Sequence, residues 1–268
     1  MLLKSNVTDE AKQIIQQKLI DTARNNNVRI LFAAESGSRA WGFPSTNSDY
    51  DVRFVYARSK NEYLSVKQYR DVIETDIIDD ISLGVPLDLN GWDIRKALQL
   101  AVKSNAVLIE WLQSPIKYSA DSGVITDLLK FTKEISDIET IKDHYYKVAM
   151  NAWQQIQENA DEVKVKLYCY ALRPALTLQW VRQFNDVPPM DMKSLCDKLI
   201  KDDDLYREIS DLITLKSTAQ ENDLIMHYSL IDSFIELALN NQTDGCKEKT
   251  GEEKILQADK FFRKIIEC

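Results

Sequence analysis

Two segments decide how this chain is read: Glu35-Ser-Gly-Ser-Arg-Ala-Trp-Gly-Phe43 and, after a short loop, Ser48-Asp-Tyr-Asp-Val-Arg-Phe-Val-Tyr56. The residues just before them, Val28-Arg-Ile-Leu-Phe-Ala-Ala34, form a β-rich run halted at Ser36-Gly37-Ser38. That pattern predicts a buried strand ending in a tight turn. Gly42, Pro44 and Asn47 mark the loop that follows. Tyr50 to Tyr56 then alternates as a second strand. Asp49 and Asp51 stand at i and i+2, so on a strand both carboxylates point to one face. Such a pair can share one or two metal ions, and two-metal phosphoryl transfer needs ions about 3.5–4 Å apart to clamp the attacking and leaving oxygens. Gly37 lets the backbone come close to a phosphate, while amides and the Ser38 hydroxyl offer it hydrogen bonds. Arg39 adds a fixed positive charge. Taken singly these are ordinary features: a turn, a solvated strand end, a surface cation. The order strand, Gly-Ser, loop, Asp-x-Asp, strand is much more specific. Tyr50 and Arg53 are read as alternating with the aspartates and so as facing elsewhere, in structural roles.

Working outward, residues 8–25 repeat apolar positions Ile14, Ile15, Leu19, Ile20 and Ala23 at helical spacing, with Thr8 as cap. Asp71 to Glu74 and Pro86-Leu-Asp-Leu89 are short strand candidates. From Trp92 onward the pattern is helical, over 92–103, 105–113, 121–135, 138–159, 162–184, 190–199, 203–217, 220–240 and 252–267. Pro174 is expected to kink or break its helix. The fold class is therefore α+β: a small mixed sheet followed by an all-helical part. The expected domains are a catalytic domain over 1–115, a helical domain over 116–240, and a linker with a terminal amphipathic helix over 241–268.

Bulk properties narrow the chemistry. The net charge of −8 argues against a protein that coats nucleic acid through a global basic field, though a local basic cleft is compatible with it. Two histidines, His144 and His227, make a histidine-rich zinc site or a Ser-His-Asp triad a poor fit. Any metal is expected on carboxylates, which suits Mg²⁺ or Mn²⁺. The four cysteines are far apart and form no CxxC pair, so they read as reduced thiols of a cytoplasmic protein. Neither a signal peptide nor a membrane-spanning run is expected.

The two opening segments resemble the nucleotidyltransferases of the DNA polymerase β-like superfamily, and among them the RlaP/YcgL type, which is linked with RNA repair. Gly91-Trp-Asp-Ile-Arg-Lys-Ala-Leu98 with Glu110-Trp-Leu112, Tyr168-Cys-Tyr-Ala-Leu-Arg-Pro174 and Pro188-Pro-Met190 are similar to that family too. The resemblance spans most of residues 28–190 and thins beyond about 200. It implies a sheet-borne metal site, a third carboxylate on a later strand, and a helical domain closing over the nucleotide. Gly37 and Ser38 match its phosphate turn, and Asp49 and Asp51 its metal ligands.

Candidates for the third carboxylate are Asp71, Glu74, Asp76, Asp79, Asp80 and Asp88. Asp88 sits between Leu87 and Leu89, so a strand with its leucines in the core turns Asp88 the other way. It also matches the family position ahead of Gly91-Trp92. Its carboxylate is expected roughly 4–6 Å from Asp49 or Asp51 if the two share ions. Lys166, Tyr170 and Arg173 share one helix face. A solvated face is the ordinary reading, but the family motif directs Arg173, and less strongly Lys166, toward phosphate or acceptor. Trp41 and Phe43 are read as loop packing, with base stacking the alternative for Trp41. His144 is read as structural or as a weak acceptor contact, His227 as packing, and Asp93 as a helix-start residue.

The expected function is metal-dependent transfer of a nucleoside monophosphate from a nucleoside triphosphate such as ATP to an acceptor hydroxyl, with pyrophosphate leaving and two Mg²⁺ or Mn²⁺ ions taking part. An RNA end is the first candidate acceptor. A protein or small-molecule acceptor, or a non-catalytic nucleotide-binding module, are the alternatives.

Overall fold

The computed structural model describes residues 7–120, 122–158, 162–220, 222–240 and 251–267. These fall into two compact units. One carries the sheet and comprises residues 7–37, 49–136 and the terminal helix. The other is helical and comprises Ser38–Ser48 together with the described residues from Asp137 to 240.

The sheet-bearing unit opens with helix α1 (Asp9–Asn26), capped by the Thr8 hydroxyl, which accepts from Ala11 N–H, and closed by Asn27 in the left-handed region. Strand β1 (Arg29–Glu35) follows, then a one-turn helix α2 (Gly37–Trp41), where the sequence predicted only a turn. After the loop come β2 (Tyr50–Ala57), the single turn α3 (Lys60–Tyr63), β3 (Val72–Glu74) and β4 (Leu87–Asp93). Helices α4 (Ile94–Val102) and α5 (Ala106–Gln113), strand β5 (Lys117–Ala120) and helix α6 (Ser122–Ile135) complete the unit before the terminal helix.

The five strands lie in the order β3-β4-β2-β1-β5, with β2 and β4 parallel and the other pairs antiparallel. Mixed pairing follows from the connections, because β2 reaches β4 through a long crossover. One face packs Val52, Phe54, Tyr56, Leu87 and Leu89 against Ile15 and Leu19 of α1. The other packs Phe32, Val55 and Ala57 against residues of α4, α5 and α6.

The helical unit begins with α7 (Ile138–Gln157) and the two-residue strand β6 (Val163–Lys164). Next come α8 (Val165–Phe184), α9 (Met192–Leu199), α10 (Asp203–Thr218), strand β7 (Leu224–Ile225) and α11 (Ser229–Asn240). The buried helix α8 is its centre, contributing Tyr168, Cys169, Ala171, Leu172, Ala175 and Leu176 to the core. Burial pushes the Cys169 and Cys196 thiols up to about 12, as expected of inert core thiols. The terminal helix α12 (Glu252–Glu267) belongs to the sheet-bearing unit, where Phe261 stacks on Phe131 and Phe262 meets Tyr63 edge-on.

The α+β class is observed, and several element boundaries are corrected. Residues 92 and 93 close β4 instead of opening a helix; Gly91 is needed there because a Cβ would sit 2.1 Å from the Phe54 ring. The chain after Trp92 is not wholly helical: β5 pairs with β1, and β6 pairs with β7. Helix α8 passes through Pro174 without ending, and α11 starts at Ser229, not near 220. Residues 241–250 of the expected linker lie outside the described residues. Among the described residues no helix is long and apolar enough to cross a membrane.

Candidate active site

In the sheet-bearing unit the site grows from the edge where β1 ends and β2 begins. The Ser36 N–H donates to Asp51 O at 2.8 Å, and the Asp51 N–H donates to Glu35 Oε1 at 3.0 Å. Glu35 is fully buried, and its other oxygen accepts from the Tyr118 hydroxyl at 2.5 Å. A buried carboxylate thus ties β1, β2 and β5 together directly behind Asp51. Such a group is tolerated because its oxygens are hydrogen-bonded.

Gly37 has φ +59°, a conformation that suits glycine. A Cβ built there would stand 2.1 Å from Asp51 Oδ2. The glycine therefore serves two needs at once, the turn of the backbone and the close approach of the Asp51 carboxylate.

Asp51 and Asp88 are in-register partners on the parallel strands β2 and β4. Leu87 and Leu89 are fully buried, and Asp88 turns to the opposite face, as the alternation predicts. Both carboxylates converge on one nitrogen: Arg53 Nη2 lies 3.2 Å from Asp51 Oδ1 and 2.8 Å from Asp88 Oδ2. Arg53 Nη1 donates to the carbonyls of Val52 and Asp88 at 3.2 and 3.3 Å. This corrects the expectation that Arg53 faces elsewhere. Residues 51 and 53 are two apart and share a strand face; only Tyr50, a buried core residue, points the other way. Asp49 is exposed and directly precedes β2. Among the alternatives for the third carboxylate, Asp71 pairs with Lys96, Glu74 with Arg70 and Asp80 with Lys18.

Whether these residues suit a divalent ion can be judged on three observations. The donors are hard carboxylate oxygens. The glycine lets the Asp51 carboxylate occupy the space where a side chain at residue 37 would stand. A positively charged guanidinium already occupies the position between Asp51 and Asp88, standing in for a cation. The donors are therefore of the hard, anionic kind that a divalent cation takes. Among the described residues, however, no three His, Cys, Asp or Glu side chains are gathered closely enough to hold an ion as they stand. A cavity of about 900 Å³ between α4 and α12 is lined by none of the three aspartates.

In the helical unit the loop 38–48 folds on itself. The Ser38 hydroxyl donates to Ser48 Oγ at 3.1 Å, the same Oγ accepts from Ser45 N–H at 2.9 Å, and Arg39 Nη2 donates to the Ser48 carbonyl at 2.5 Å. Phe43 is fully buried in the helical core, and Trp41 meets Tyr170 edge-on at 5.5 Å. Arg173, 4% exposed, donates from Nε to the Met190 carbonyl at 3.0 Å and lies 4.6 Å from the Trp41 ring centre. Exposed Lys166 sits 5.8 Å from the Tyr170 ring. His227 Nδ1 and the Tyr168 hydroxyl both meet the Asp232 carboxylate, at 2.9 and 2.7 Å, so His227 is a bonded residue and not mere packing. Asp93 caps α4, accepting from Arg95 N–H at 2.8 Å, as its reading as a helix-start residue anticipated. Arg53, Glu35 and Tyr118 were missed as site residues; for Arg53 the spacing of two from Asp51 was the available signal.

The family model described as RNA repair pathway DNA polymerase beta family, RlaP, matches residues 11–264. The uncharacterized protein YcgL of Bacillus subtilis (strain 168) is 38% identical over 258 residues, covering 96% of this chain and 93% of that protein. A solved nucleotidyltransferase-like protein from Exiguobacterium sibiricum 255-15 aligns with a TM-score of 0.33 at 11% identity, over 95% of this chain and 79% of that one.

Proposed function

We propose that this chain, which belongs to the RlaP family of the RNA repair pathway DNA polymerase β class, transfers a nucleoside monophosphate from a nucleoside triphosphate to an acceptor hydroxyl. The observation that carries this reading is the in-register pair of Asp51 and Asp88 on parallel strands, with Gly37 closing on Asp51. In the reaction the acceptor oxygen bonds to the α-phosphorus, the bond from that phosphorus to the pyrophosphate oxygen breaks, and the hydroxyl proton passes to Asp88 or to water. Asp49, Asp51 and Asp88 are the residues that would hold divalent ions. Bound Mg²⁺ or Mn²⁺ supplies charge neutralisation for the attacking and leaving oxygens. Glu35 holds Asp51 in place through its amide, and the amide-rich turn at Gly37 offers donors to phosphate oxygens. Ser38, Arg39, Lys166 and Arg173 are the helical unit's own candidates for phosphate contact.

The family description favours an RNA end as acceptor. The test is incubation of the chain with each α-³²P-labelled nucleoside triphosphate, Mg²⁺ or Mn²⁺, and total RNA or total protein. Label in RNA from wild type but not from Asp51→Asn supports the reading. Label in protein alone replaces RNA by a protein acceptor, and no label in any arm overturns nucleotide transfer.

A further inference from the structure

Arg53 stands between Asp51 and Asp88. Its Nη2 contacts the very oxygens, Asp51 Oδ1 and Asp88 Oδ2, that face each other across β2 and β4. Its Nη1 is anchored on two strand carbonyls, and the side chain is only 19% exposed. The arginine is therefore held in place and is not a loose surface cation. Guanidinium stays charged at any pH the protein meets, and its fork spans two acceptors at once. Two carboxylates in register on neighbouring strands repel each other, and Arg53 removes that repulsion before any ion arrives. An Mg²⁺ ion takes oxygens at about 2.0–2.1 Å and tolerates little distortion. It cannot share Asp51 Oδ1 and Asp88 Oδ2 with a nitrogen already between them.

We infer that Arg53 is a positioning residue that pre-aligns Asp51 and Asp88 as a built-in cation, and that a divalent ion bridging these two carboxylates binds only by displacing it. This inference rests on the carboxylates being metal ligands, as proposed above. It follows that the free protein takes an ion at this position weakly, because each binding event must first break the contacts of Arg53.

The experiment is a Mn²⁺ titration of the nucleotide-free full chain, followed by calorimetry and by the EPR signal of free Mn²⁺. Arg53→Gln is expected to tighten Mn²⁺ binding at least tenfold. Arg53→Lys, which keeps the charge but loses the fork, should fall between the two. Adding Asp88→Asn to Arg53→Gln should abolish the gain. Superimposable isotherms for wild type and Arg53→Gln, or weaker binding in the variant, overturn the inference while leaving the metal reading intact. Absence of Mn²⁺ binding in every variant, with and without a nucleoside triphosphate, overturns both. Should Arg53→Gln fail to fold, the wild type still decides the matter. With ¹⁵N-arginine labelling, the Arg53 side-chain resonance, assigned by its loss in Arg53→Lys, must shift as Mg²⁺ is added. A resonance that stays fixed while Mg²⁺ binds overturns the displacement.

Discussion

The Asp51 carboxylate lies where a side chain on residue 37 would have to be: a Cβ on Gly37 would stand 2.1 Å from Asp51 Oδ2 and 2.9 Å from its Cγ. Neither atom is the far end of a flexible chain that can swing away freely. Asp51 is a short side chain on a strand pinned by Glu35 and Ser36. Gly37→Ala is therefore expected to push the carboxylate out of position and to remove nucleotide transfer, in addition to costing about 1–2 kcal/mol for a left-handed alanine. Gly84→Ala is the matched control. Its φ is +68°, but nothing lies within 4 Å of the added carbon. It should show the backbone cost alone, with activity retained. Urea unfolding and transfer assays on both variants separate strain from site damage; equal activity loss in the two would remove the special role of Gly37.

Asp49→Asn, Asp51→Asn and Asp88→Asn should each lower metal-dependent transfer by about a hundredfold or more, since a metal-held transition state is worth several kcal/mol. Their effects on stability should differ. Relief of like-charge repulsion is not expected from Asp51 or Asp88, because Arg53 already lies between them. Asp88 is 39% exposed, so losing its half of the ion pair should cost less than about 1 kcal/mol. Thermal melts alongside transfer rates check both halves. Activity within a few-fold of wild type in any one variant would strike that residue from the ligand set.

The alternation of Leu87, Asp88 and Leu89 was sufficient to turn Asp88 onto the face of Asp51, because burial of the two leucines leaves the aspartate one direction. The partner of that pair was not read, although counting by two from Asp51 reaches Arg53; grouping it with Tyr50 hid the residue that now joins both carboxylates. Strand β5 was missed for a different reason. Lys117 to Ala120 is too short to show a period, and its partner β1 lies far away in sequence. Likewise Gly91-Trp92 precedes a strongly amphipathic helix, so the helical pattern ran backward into a strand whose glycine exists to admit Phe54. Non-local pairing and close approach leave little trace in local periodicity.

Arg173 is expected to matter for stability whatever it does for phosphate. At 4% exposure, with its Nε on the Met190 carbonyl and its guanidinium against Trp41, it belongs to the packed centre of the helical unit. Arg173→Ala strands a carbonyl acceptor and opens a cavity, and should cost about 2–4 kcal/mol. Arg173→Lys keeps the charge but loses the planar contact with Trp41, and should recover less than half of that. Chemical denaturation gives both values. An unchanged unfolding midpoint in Arg173→Ala would show that this packing contributes nothing.

Lys117 provides a pH test of the sheet-bearing unit. Burial lowers its pKa from 10.5 to about 8. Its Nζ donates to the carbonyls of Trp111 and Leu112 at 3.0 and 2.8 Å, at the C-terminal end of α5. Those carbonyls carry partial negative charge and favour the ammonium, so they work against the burial term. Burial is the larger influence. Below about pH 8 both folded and unfolded chains hold the proton, and the folded state bears the full cost of the buried charge. Between about 8 and 10.5 the folded chain has released the proton while the unfolded chain keeps it. The unfolded state then binds more protons, so stability rises with pH, with a limiting slope of about 1.4 kcal/mol per pH unit for one proton. Lys117→Met keeps the stem and removes the titration. The stability of wild type relative to Lys117→Met, from urea unfolding at several pH values in this window, should climb as pH rises. A difference that stays flat or falls would mean that the two carbonyls outweigh burial and that Lys117 remains an ordinary ammonium.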